Sequence, residues 1–151
     1  MTETPADKFE NMSNLFEQDH LKATRMLDNV QALCVAHSYL SAAKLFGEFR
    51  QLQEHHLDSE DSALEVLFRV EECTHALREA FTREHLGIRV LMNTVSSAIS
   101  QNDEAVFLRS VEVLGRAVLT HNQHETQQFL PTLFRGTPPE RREGAVRRIV
   151  S

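Results

Sequence analysis

The sequence predicts an all-α protein, an antiparallel up-down-up-down four-helix bundle. Three observations carry that prediction. Only five Gly and four Pro interrupt 151 residues, too few breakers for a chain of many short strands. Apolar residues recur at steps of three and four along four long segments. The links between those segments are short, which makes successive helices antiparallel neighbours. The length suits one domain with a core of its own, with a bundle over about 12–134 and a basic tail over 135–151.

The first segment runs Phe16, His20, Ala23, Leu27, Val30, Cys34, the seam of a helix facing a core. His37 and Ser38 mark its end. The second runs Leu45, Phe49, Leu52, His56, Glu60, Ala63, Leu67; the turn after it, near Glu71 to Thr74, has no Gly or Pro and is placed by length. The third runs Leu77, Phe81, His85, Ile88, Met92, Val95, Ile99 and closes at Ser100-Gln101-Asn102-Asp103, a strong turn signal. The fourth runs Phe107, Val111, Leu114, Val118, His121, Glu125, Phe129, and Gly136 with Pro138-Pro139 ends its region. Pro139 can open a short amphipathic helix whose four arginines make a solvated tail or a docking helix.

Composition narrows the function classes. A formal charge of −6 argues against a nucleic-acid surface. No apolar run is long enough for a membrane span, and MTETPADKFE is not a signal peptide. Cys34 and Cys73 make neither a disulfide framework nor a zinc cluster, and are expected to be reduced thiols of a cytoplasmic protein. A P-loop, a Gly-rich dinucleotide turn and a Ser-His-Asp arrangement are all missing.

The eight histidines are the unusual total. His-x-x-x-Glu sets two metal-ligand types one turn apart on one helix face. It occurs at His56…Glu60, at His121…Glu125 and at His75…Glu79. The spacing alone is weak, because Glu is common in this chain. Depth in the bundle separates signal from accident. With turns near 37, 72 and 102, His20, His56, His85 and His121 fall within roughly 3 to 5 Å of one level at about 1.5 Å per residue. His75 lies about 20 Å from that level by the same rise per residue, so His75 and Glu79 are rejected. Four imidazoles and two carboxylates in one dry layer would be costly without a counter-charge. That ligand set suits borderline divalent metals such as iron and zinc. It exceeds the four ligands of a structural zinc site, and two glutamates can bridge a metal pair.

The order His20, His56-x-x-x-Glu60, His85, His121-x-x-x-Glu125 resembles the hemerythrin-like, or HHE cation-binding, domain. So do His55-His56, the EHLGIR segment at 84–89 and HNQHETQQFLP at 121–131, and the likeness covers about 12–134. The resemblance implies two iron ions with an oxo or hydroxo bridge. His20, His56, His85 and His121 would be terminal ligands, with Glu60 and Glu125 bridging. It implies a protein that binds or senses oxygen, nitric oxide or peroxide, a monomer or weak homo-oligomer. The alternatives are a di-iron enzyme removing peroxide or nitric oxide, or an iron donor in iron–sulfur centre repair. Repair proteins of this kind carry an N-terminal cysteine-bearing segment not found in this sequence, which ranks the donor reading last.

One position departs from the family pattern. Oxygen-carrying members have a second histidine one turn after the third-helix ligand, where this chain has Arg89. A guanidinium cannot ligate, so a metal position is left open, which favours reactivity over reversible carriage. Arg89 is otherwise expected to reach an acid such as Glu84. His55 and His124 face away from the layer as surface groups or donors to the ligands, and Asp19 is read as solvated. Tyr39 falls by the first turn. Phe81, Ile88, Leu52 and Val118 would form a dry wall around the site. A ferritin-like reading from Glu17-x-x-His20 and Glu72-x-x-His75 fails on depth.

Overall fold

The computed structural model describes residues 5–67, 75–129 and 131. Four α-helices follow one another: α1 (Pro5–Val35), α2 (Tyr39–Leu67), α3 (His75–Ser100) and α4 (Glu104–His124), the last running into a π-helical turn at Glu125–Phe129. Helix α1 packs on α2 and α4, and α3 packs on α4 and α2, the ring of an up-down-up-down bundle. The expected turn at Glu71 to Thr74, Cys73, the side chain of Leu67, and Gly136, Pro138-Pro139 and the basic tail lie outside the described residues. No helix among the described residues is long and apolar enough to cross a membrane.

The two described turns share one construction. At the end of α1, His37 N–H donates to the Cys34 carbonyl and Ser38 N–H to that of Leu33. At the end of α3, Asn102 N–H donates to Ile99 and Asp103 N–H to Ala98. Each pair is a Schellman motif closing the orphan carbonyls of a helix end. His37 (φ 58°) and Asn102 (φ 54°) occupy the left-handed position. Asparagine tolerates that conformation well; at His37 the ring is also tied, with Nδ1 3.0 Å from the Tyr39 hydroxyl. Asp103 then caps α4, its side chain accepting from Val106 N–H at 3.1 Å, which satisfies one of the free donors of the first turn.

Three of the four apolar seams are as the periodicity predicts. On α1, Phe16, His20, Ala23, Leu27, Val30 and Cys34 are all buried, and on α4 so is every residue from Phe107 to Phe129 in the predicted stripe. On α3 the seam holds from Phe81 to Val95, with Ala98 rather than Ile99 as its last buried residue. Helix α2 differs. Its buried face runs Ala42, Phe46, Phe49, Gln53, His56, Leu57, Glu60, Ala63, while Leu45 and Leu52 are half-buried at its border. Both borders carry apolar residues here, so the stripe is wide and its centre is set by the neighbouring helices.

The core near the turns is apolar: Val30, Phe46, Phe49, Met92, Val95, Phe107, Val111 and Leu114 interlock there. The polar layer lies at the opposite end, about 25 Å along α1 from its turn at 1.5 Å per residue. Replacing Asp103 with Ala should lower the unfolding free energy by about 1 kcal/mol in urea melts, with Asp103→Asn retaining most of it; equal stability of Asp103→Ala and the parent would show that the cap contributes nothing.

Candidate metal centre

The structure brings His20, His56, Glu60, His85, His121 and Glu125 into one layer, one histidine from each helix, and buries them all. They form two groups that share both glutamates. His20, His56, Glu60 and Glu125 make one, and Glu60, His85, His121 and Glu125 the other, with candidate ligand atoms of each group within 4.8 Å of one another.

The two oxygens of each carboxylate point to different groups. Glu60 Oε1 faces His56 Nε2, its neighbour one turn back, and His20 Nε2 at 3.7 Å. Its Oε2 lies 2.9 Å from His85 Nε2 and 3.5 Å from His121 Nε2. Glu125 Oε1 is 3.2 Å from His20 Nε2, and its Oε2 is 3.2 Å from His121 Nε2. All four histidines thus turn Nε2 inward. The π-helical turn begins at Glu125 itself and keeps Glu125 and Phe129 buried together. Such turns recur at functional sites.

The polar atoms of this layer are poorly satisfied by one another. His20 Nε2, His56 Nε2, Glu60 Oε1 and both oxygens of Glu125 are buried without an aligned hydrogen-bond partner among the described residues, although they lie at ion-pair distances. Buried donors and acceptors are nearly always paired. Close, convergent and unaligned atoms of this kind fit bound cations, with imidazole and carboxylate as the donor set.

Outward, three histidines are held by acids. Asp19 Oδ2 accepts from His56 Nδ1 at 3.1 Å. Asp61 Oδ1 accepts from His85 Nδ1 at 2.6 Å, and Glu84 Oε2 is 3.3 Å from His121 Nδ1. Each acid is the sequence neighbour of a candidate ligand on the preceding helix: Asp19 beside His20, Asp61 beside Glu60, Glu84 beside His85. The offset alternates in sign because successive helices run in opposite directions, so the same sense around the bundle is −1, +1, −1 along the chain. Sequence reading took Asp19 as solvated and assigned Asp61 no part. Their position beside a ligand, on the flank turned to the next helix, is the signal that could have found them.

One further expectation is corrected. Arg89 does not pair with Glu84; its Nη2 donates to Asp58 at 2.9 Å and Asp61 at 3.0 Å on α2. Glu84 is engaged instead by His121 and by His124, whose Nδ1 lies 2.5 Å from Oε1. His55 is exposed. His75 and Glu79 pair with each other on the exposed surface of α3, outside the layer.

Phe16 stacks on His20, with centroids 6.3 Å apart, and meets His56 edge-on. Phe81 packs at 4.1 Å on His85 and 5.3 Å from His121, with Phe129 behind it. On the side toward the turns Ala23, Ile88 and Val118 are buried, and Leu57 is buried between His56 and Glu60 on α2. In this dry setting the metal-free cluster is strongly polarised. Burial opposes a charged His56, but the Glu60 charge and the hydrogen bond with Asp19 outweigh it and push its pKa up to about 11. Burial opposes His121 likewise, and the carboxylates of Glu125 and Glu60 push it up to about 10. Burial raises Glu60, yet the His56 charge and the surrounding imidazoles hold it well below the usual range.

A family model described as the hemerythrin HHE cation binding domain matches residues 11–133. Neither the curated proteins nor the solved structures contain a match.

A cation needs neutral imidazoles. Loading the metal-free chain at pH 7 should therefore release at least about two protons, from His56 and His121, with His20 and His85, whose pKa values are raised as well, adding to them; uptake without proton release in weakly buffered solution would contradict these protonation states. Linkage fixes the sign for the metal-free fold. Both pKa values are raised on folding, so the stability they contribute is whole below pH 6.5 and is lost as pH rises through about 10 and 11. Thermal unfolding of the metal-free chain should fall over that window.

Proposed function

The chain belongs to the hemerythrin HHE cation-binding family, and from that premise we propose that it is a non-haem di-iron protein that binds or senses a small oxidant, namely oxygen, nitric oxide or peroxide. The observation that carries this reading is the split presentation of Glu60 and Glu125, each offering one oxygen to His20 or His56 and the other to His85 or His121. One cation would leave half of these donors idle. Two cations, bridged by both carboxylates and by an oxo or hydroxo group, would use them all. Two histidines and two shared carboxylates would fill four positions of each cation, and sites of imidazole and carboxylate with open positions are the ligand field of non-haem iron. Iron would supply reversible redox chemistry.

Arg89 supports the same reading. Its guanidinium, one turn after His85, is drawn to Asp58 and Asp61 and away from the layer, so it neither ligates nor blocks. The ring wall of Phe16, Phe81 and Phe129 is close and apolar, which suits a diatomic or a peroxide rather than an extended substrate. Turnover of peroxide or nitric oxide at the same centre is the alternative, and the open positions favour it equally.

Protein made with ample iron should carry two irons per chain, one for each group of donors, with near-ultraviolet charge-transfer bands of a bridged pair. His56→Ala and His121→Ala should each lower the iron content; unchanged iron in both would show that the irons lie elsewhere, and zinc alone would end the redox reading. Adding oxygen to the reduced protein separates the two outcomes: a persistent visible band marks binding, and rapid bleaching with continued peroxide or nitric oxide loss marks turnover.

A further inference from the structure

The two halves of the layer are braced unequally. In the His85–His121 half both ligands have an acid on Nδ1, and each acid is itself held. Asp61 gives Oδ1 to His85 while Arg89 grips its Oδ2. Glu84 gives Oε2 to His121 while His124 takes its Oε1. Both histidines are only 1% exposed.

In the His20–His56 half, His56 alone has such a partner. That partner, Asp19, has a side chain 50% exposed to water. Among the described residues, the only carboxylates at ion-pair distance from His20 are the two bridging glutamates. The missing brace has a structural address. Continuing the alternation of offsets, the acid that would reach from α4 back to α1 belongs one residue after Glu125, as Asp61 follows Glu60. That residue is Thr126, whose hydroxyl donates to the Asn122 carbonyl one turn back at 3.0 Å. The ring of acids is therefore open at the α4–α1 seam. His20 and His56 are also the more exposed ligands, at 8% and 6%.

We propose that the two cation positions differ in affinity, with the His85–His121 position tight and the His20–His56 position labile, and that Asp61 and Arg89 are positioning residues for the tight one. This inference rests on the reading of the layer as a two-cation site. An acid on Nδ1 fixes the ring and its tautomer and makes Nε2 a stronger donor, and losing such a partner weakens metal affinity about 10- to 100-fold. Arg89 acts through Asp61: it fixes the carboxylate that aims His85.

The test is an anaerobic titration of the metal-free full chain with Co²⁺, followed by visible absorption and chelator competition. Two steps are expected, the first at least about tenfold tighter than the second. His85→Ala should remove the tight step and His56→Ala the weak one. Asp61→Asn should weaken the tight step by about tenfold or more and alter its absorption envelope, and Arg89→Gln should shift the same step less. Asp19→Asn should move only the weak step. Melting of each metal-free variant reports any general loss of fold, which would weaken both steps together. A single step of two equal cations, first loading at His20–His56, or equal weakening of both steps by Asp61→Asn overturns the proposal while leaving the two-cation site intact. A chain that takes up no Co²⁺ overturns the two-cation reading and this one with it.

Discussion

Two carboxylates with no exposed surface, Glu60 and Glu125, set the terms on which this bundle can fold. An unpaired buried carboxylate is among the most expensive groups a protein can hold. Here four imidazoles surround the pair, one from each helix, and supply the compensating charge either as imidazolium or as ligands. The compensation works only if all four helices reach the layer in register. Helix length, the tight Schellman turns at His37 and Asn102, and the apolar packing near those turns all serve that register. A slip of one residue on any helix would turn a histidine about 100° off the layer and leave a carboxylate with too little positive charge.

Around that centre lies a ladder of acids whose logic is geometric. Asp19, Asp61 and Glu84 each sit beside a candidate ligand on one helix and serve the histidine of the next. Antiparallel packing makes the useful flank alternate between the residue before and the residue after the ligand. A short stretch such as Glu84-His85 or Glu60-Asp61 thereby does two jobs, one side chain facing inward and its neighbour sideways. Arg89 enters this ladder from the far side, binding Asp61 and Asp58, and the position occupied by a ligand in oxygen carriers becomes part of the support for His85.

The fold and the six inward residues were legible in the sequence because both are properties of single helices. The 3.6-residue period exposes the seam of α1 and α4 directly, and distance from a turn gives depth, which excludes His75 although its spacing to Glu79 matches the motif. What stayed hidden depends on the rotation of one helix against another. The buried face of α2 is centred on Ala42, Phe46 and Phe49 rather than on Leu45 and Leu52, because apolar residues on both borders left the period undecided. The same rotation brings Asp61 to His85. Arg89 was matched to the wrong acid because a long side chain reaches across the groove as readily as along its own helix, where Glu84 was already engaged by His121 and His124.

The distance between the polar layer and the two turns divides the bundle by kind of cohesion. Near the turns Phe46, Phe49, Met92, Val95 and Leu114 hold the helices by burial alone, and nothing there depends on a bound ion. Around Glu60 and Glu125 the helices are held by charge, and in the absence of a cation that charge is balanced by protons. Ions held between Glu60 and Glu125 would therefore bear on the cohesion of the far end of all four helices and leave the apolar packing beside the turns as it is.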